Sequence, residues 1–157
     1  MTFIDTNDPK RQRPFGLNEL IGPQEGANKI FLLRGTRRKG GFVGLHWHGG
    51  EEAIRVLSGK ERFHIGSESK VCHAGEIAFF PAYTQHGFVV LSEEALLEVM
   101  GQQRVGSYYL VIAPDGTKQA IEVYTKDILA DHEPPEGTAH TTYEELAQLM
   151  SSTRHLL

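Results

Sequence analysis

Along residues 30–124 apolar and polar positions alternate in short runs separated by glycine-containing breaks, the pattern of antiparallel strands rather than of helices. The alternation predicts strands over residues 30–34, 42–48, 53–58, 61–65, 70–73, 76–80, 85–91, 96–101, 107–112 and 120–124. Turn chemistry falls between them at Gly59-Lys60, Gly66-Ser67-Glu68 and Pro114-Asp115-Gly116. Residues 35–41, with Arg37, Arg38 and Lys39 among glycines, read as a basic loop. Helical spacing is confined to the far end of the chain. Residues 127–130 make a short candidate. Residues 142–154 make a better one, with Thr142 as cap, Glu144 and Glu145 in the first turn and Leu146, Leu149 and Met150 as one stripe. Residues 131–141 carry Pro134-Pro135 and Gly137 and read as a loop.

Residues 1–29 lack this periodicity. Pro9, Pro14 and Pro23 interrupt them, and Phe15, Leu17, Leu20 and Ile21 offer apolar anchors without an evident partner strand nearby. The expected organisation is one all-β domain: an arm over residues 1–29, a barrel over 30–125, and a loop and helix over 126–157 packed on the barrel. A chain of 157 residues can bury a core of its own. Its 16 basic and 20 acidic side chains give no surplus of positive charge, which argues against nucleic acid or an anionic membrane surface as partner. One cysteine, Cys72, rules out an internal disulfide. With no apolar leader or long apolar run, the cytoplasm is the expected compartment.

Chemistry concentrates in two segments. In Gly44-Leu45-His46-Trp47-His48-Gly49-Gly50-Glu51-Glu52, strand alternation sends the His46 and His48 imidazoles to one side. Glu52 can return a carboxylate to that side after the Gly49-Gly50 bend. Trp47, between the two histidines, should face away into packing. A third imidazole is expected from His86, which opens a strand after the turn at Pro81. Three neutral imidazoles and one carboxylate suit iron, manganese, nickel, cobalt or zinc better than calcium or magnesium. Four such donors leave two positions of an octahedral ion for water, substrate or oxygen.

The first segment is similar to the first cupin motif: a glycine, five residues, His-x-His, three residues, Glu, six residues and a glycine, filled by Gly40, His46, His48, Glu52 and Gly59. The second resembles the second cupin motif at Gly75, Pro81 and His86. It departs from that motif at Tyr83, where the family usually has glycine, and at Val90, where it usually has asparagine. The resemblance covers roughly residues 30–112 and is of the small "cupin 2 conserved barrel" type. It implies a double-stranded β-helix, a jelly-roll-like barrel, with His46, His48, Glu52 and His86 holding one divalent transition metal ion per subunit. It also implies a homodimer associated through sheet edges and terminal arms.

Other side chains could serve such a centre. Arg34 and Arg37 are candidates for recognising an anionic substrate at the barrel mouth. Tyr83 is a candidate acid or base, as is whichever of Glu61 and His64 faces inward. Alternation groups Glu61 with Phe63 and Ile65 but does not say which face is interior. Cupins host many activities, so the fold does not set the function. The leading expectation is a metal-dependent enzyme on a small organic substrate, of dioxygenase type. A non-redox lyase or isomerase is the second, and a small-molecule sensor without turnover is the rival from another class.

Overall fold

The computed structural model describes residues 2–11, 15–102, 106–123 and 143–157. Among the described residues eleven strands run in chain order: β1 (Gly16–Ile21), β2 (Ile30–Arg38), β3 (Phe42–Trp47), β4 (Glu52–Ser58), β5 (Lys60–Ile65), β6 (Glu68–His73), β7 (Ile77–Phe80), β8 (His86–Val90), β9 (Glu94–Gln102), β10 (Ser107–Ile112) and β11 (Lys118–Val123). They form two antiparallel sheets, ordered β1-β2-β9-β4-β7 and β11-β10-β3-β8-β5-β6. Among the described residues no helix is long and apolar enough to cross a membrane.

The two sheets close on one core because each strand alternates. Ile54 and Val56 of β4, Phe63 of β5, Phe80 of β7, Phe88 and Val90 of β8, and Leu97 and Val99 of β9 all point inward and are buried. Each large apolar side chain so buried stabilises the fold by about 1.5–3 kcal/mol.

The predicted strands from residue 42 onward match observed ones within a residue or two at most ends, and two expectations change. Residues 35–38 continue β2, which runs unbroken to Arg38 in a nine-residue ladder against β9, so the basic loop shrinks to residues 39–41. Glycine at position 35 is required here, since a Cβ would lie within 2 Å of the Gly16 carbonyl on β1. The segment expected to lack a partner strand does have one: β1 pairs with β2 of the same chain, with Leu17 packed against the core and Leu20 buried.

The helix α1 (Tyr143–Ser151) lies on the second sheet, where Leu146 joins Tyr109 and Val123 in a smaller core with Leu149 and Met150 at its edge. The candidate helix at 127–130, the loop at 131–141 and the proposed cap Thr142 fall outside the described residues. After α1, the Thr153 hydroxyl, fully buried, donates to Met150 O (3.3 Å) and accepts the Leu45 N–H (3.1 Å). That bond lands on an irregularity of β3 between Val43 and His46, where Gly44 lets the α1 backbone approach: a Cβ there would sit 2.8 Å from Met150 O. The end of α1 therefore backs the strand that carries His46.

Candidate metal centre

His46 and His86 are register partners on β3 and β8, and His48 follows His46 at the strand end. Their rings gather inside the barrel, with centroids 4.2 Å apart for His46 and His86, 4.9 Å for His48 and His86, and 5.7 Å for His46 and His48. One ring nitrogen from each lies within 4.8 Å of the others. All three residues are buried.

Each imidazole is held by its own local backbone. His46 Nδ1 bonds to Gly44 O (2.8 Å), His48 Nδ1 to Gly50 O (2.7 Å) and His86 Nδ1 to Thr84 O (2.8 Å). A carbonyl can only accept, so each Nδ1 carries the hydrogen and donates, and each Nε2 keeps its lone pair. Such an outer hydrogen bond fixes the tautomer and ring direction of a metal-ligating histidine. Burial, reinforced by the neighbouring His86, holds His46 well below the usual imidazole range, so the neutral, ligating form prevails.

Two aromatic rings brace the cluster. Phe80 stacks on His86 at 4.5 Å between centroids, and Tyr109 stacks on its register partner His46 at 5.0 Å with a 14° interplanar angle. Glu52, buried at the start of β4 between Phe80 and Gly101, places Oε2 3.4 Å from His48 Nε2. His48 Nε2 is buried and makes no hydrogen bond within the chain. A buried imidazole nitrogen in that state costs free energy unless something else satisfies it, and a cation between it and the carboxylate does so. The donor set present fits a divalent transition metal ion.

The remaining candidates separate. Glu61 and Phe63 face inward, which settles the alternation question and turns His64 outward, where its Nε2 lies 3.4 Å from Ser69 Oγ. Glu61 is fully buried but is not beside the histidines. On the β5–β8 ladder Ile65 pairs with His86, Phe63 with Phe88 and Glu61 with Val90. Four residues at roughly 3.3 Å each put Glu61 about 13 Å farther along the barrel. Phe63 and Phe88 fill the intervening level. Glu61 pairs there with Arg37 (Oε1 to Nη1, 3.3 Å), whose guanidinium also lies over Phe88, 4.3 Å from the ring centroid. Burial raises the Glu61 carboxyl above the usual range, and Arg37 only partly offsets it.

Arg34 leaves the interior altogether, because β2 sends Arg37 in and Arg34 out. Tyr83 has a positive φ of 60°, the backbone form that explains why glycine is usual at this motif position. The residue is 71% exposed, its backbone N–H donates to His48 O (2.7 Å), and its hydroxyl stands over Gly49. Trp47 faces out and stacks on Tyr108. Cys72 is buried in the core, and burial raises its thiol. The sequence reading missed the three carbonyls and the Tyr109 brace. Gly50 sat in a recognised bend, but alternation alone could not choose between Tyr108 and Tyr109.

Residues 35–100 match the family model of the Cupin domain. Similar solved structures include the polyketide cyclase RemF from Streptomyces resistomycificus (22% identity, TM-score 0.59, 74% of this chain and 89% of that one). KdgF from Halomonas sp. is similar at 16% identity and a TM-score of 0.58, over 66% of this chain and 94% of that one. A chain from the crystal structures of the DMSP lyases RdDddP and RnDddQII aligns at 26% identity and a TM-score of 0.50, over 61% of this chain and 53% of that one. No curated protein matches the sequence. The Cupin domain match lies on a barrel of two antiparallel sheets that gathers three histidines within it, and sequence match and fold together support the cupin superfamily for this barrel.

Proposed function

We propose that this chain is a metal-dependent enzyme acting on a small organic substrate, with His46, His48, His86 and Glu52 holding one divalent transition metal ion. The observation that carries the reading is the set of three buried imidazoles, each locked through Nδ1 to a carbonyl so that Nε2 is left for a ligand bond. Bound there, such an ion supplies either Lewis acidity or a redox centre for oxygen chemistry. The chain's own part is to hold the donors and keep the site dry. Phe80 and Tyr109 fix two imidazoles, and the layer of Ile54, Phe63, Phe88 and Leu97 closes the barrel beneath them.

A dioxygenase-type reaction is our first reading. Among the described residues, Glu61 and His64 stand away from the imidazole cluster, and Tyr83 lies exposed against the His48-Gly49 backbone, which leaves Glu52 as the buried acidic side chain beside the cluster. Chemistry centred on the ion needs no further acid or base from the protein. A lyase or cyclase reaction is the second reading, supported by likeness to a polyketide cyclase and to DMSP lyases. Nitric oxide, an oxygen surrogate, separates the two. The Fe(II)-loaded protein should give a high-spin nitrosyl signal by electron paramagnetic resonance and should consume oxygen with a responsive substrate. Without that signal, and with turnover under anoxic conditions, the second reading replaces the first. No metal bound by the purified protein would refute both.

A further inference from the structure

A cleft of about 230 Å³ lies on the outer face of the first sheet, between the segment carrying Thr6, Asn7 and Arg11 and strands β1, β2 and β9. Among the described residues its lining includes two guanidiniums, from Arg11 and Arg34, and no carboxylate, although the chain has 20 acidic side chains to 16 basic ones. Three nearby acids are committed elsewhere. Asp5 and Asp8 accept the backbone N–H groups of Asn7 and Lys10, and Glu25 holds Arg11 at 2.9 Å. Glu98 is the register partner of Arg34 on β9, yet among the described residues Arg34 makes no ion pair within 4.0 Å and no side-chain hydrogen bond.

Arg11 is thus neutralised and fixed, with Nη1 also reaching Leu20 O (3.4 Å), while Arg34 is held by no ion pair among the described residues. Around Arg34 stand neutral hydrogen-bonding groups: the Asn7 and Asn18 amides and the Thr6 and Thr36 hydroxyls. Asn18 spends one amide hydrogen on Arg34 O (3.4 Å) and has a second. One positive fork among neutral donors suits a planar or tetrahedral oxyanion. The volume suits a ligand smaller than the occupants of ordinary cofactor pockets.

We propose that this cleft is a binding site for a small oxyanion, a carboxylate or phosphate group, with Arg34 as its charge partner. It lies across the sheet from the candidate metal centre and does not depend on that centre's function.

The test is isothermal titration calorimetry of the full chain with inorganic phosphate and, separately, with succinate, in low-chloride buffer. Phosphate or succinate should bind with an affinity that Arg34→Gln weakens by about tenfold or more. Arg34→Lys, which keeps the charge and loses the fork, should fall between the two, showing that the loss is not one of folding. Protein dialysed against a chelator should bind the anion as the untreated protein does. Binding of phosphate alone assigns the site to phosphate groups, and binding of succinate alone assigns it to carboxylates. The proposal is overturned if neither anion binds at up to about 10 mM, if Arg34→Gln binds as the wild type does, or if the chelator abolishes binding.

Discussion

Replacing Arg37 with methionine should destabilise the barrel by about 3 kcal/mol near pH 8, much more than neutralising its partner. Glu61 is fully buried, with one oxygen 3.3 Å from Arg37 and the other, Oε2, without a hydrogen bond. Removing Arg37 therefore leaves a buried carboxylate without its counter-charge, a change that costs about 3–5 kcal/mol in dry interiors. The Arg37 side chain is 17% exposed, so the lower end of that range applies. In a chain of this size that lowers the melting temperature by about 6–12 °C.

The pH dependence follows from the direction of the Glu61 shift, which is upward because burial outweighs Arg37. Without Arg37 the folded-state value rises further. A folded protein that holds this proton more tightly than the unfolded chain loses stability as pH climbs from the ordinary carboxyl value to the raised one, then levels off. The Arg37→Met penalty should accordingly be smaller near pH 5 than near pH 8. Glu61→Gln keeps an acceptor for Arg37, removes the buried charge and should change stability by no more than about 1 kcal/mol. The double variant should recover most of the loss. Urea denaturation of the four proteins at the two pH values measures all of this. If Arg37→Met is as mild as Glu61→Gln near pH 8, or shows no pH dependence, the pair is not the buried, charge-compensated unit described.

His48→Ala or His86→Ala should each lower bound metal to well under half a mole per subunit, as read by elemental analysis, with the far-UV circular dichroism of the barrel retained; full occupancy in both would sink the site. Tyr83→Gly relieves a left-handed backbone at an exposed position and should leave chemical stability equal or higher by about 1 kcal/mol; a large fall in turnover with unchanged metal content would instead restore Tyr83 as a catalytic group. We expect a homodimer in solution, joined across the outer face of the first sheet, where Ile77, Phe79 and Met100 are exposed on β7 and β9. Phe79→Glu with Met100→Glu should then give a monomer mass by light scattering, and an unchanged dimer would move the interface elsewhere.

Much of the fold was legible because period-two alternation is a local property, carried by runs such as Ala53–Ser58 and Glu61–Ile65. His46, His48 and His86 could be grouped for the same reason, with two on one strand face and the third at the opening of another. Placement along the barrel axis was not legible. Glu61 faces the same interior as the histidines, but its level depends on the register of β5 against β8, which no residue in either strand announces. Arg37 was read into a loop because glycines lie on either side of it, and Arg34 was grouped with it at the barrel mouth. Pairing of β2 with both β1 and β9 makes those residues strand, and then alternation drives the two arginines to opposite faces. β1 itself has little periodicity of its own and is specified by the neighbour it meets.

The three histidine–carbonyl bonds each span only two residues, whereas the ladder that brings His46 opposite His86 joins positions forty residues apart in sequence. Aim and assembly are thereby assigned to different scales of the chain. Each ring direction is settled as soon as its own short segment takes shape, and barrel closure has only to carry ready-oriented rings into proximity. Substitutions deep in the barrel, at Leu97 for example, can loosen or shift the scaffold and leave those three bonds in place. Drift in the core and constancy of the donor set are therefore compatible, and the same cassette can be carried by barrels whose interiors share little sequence.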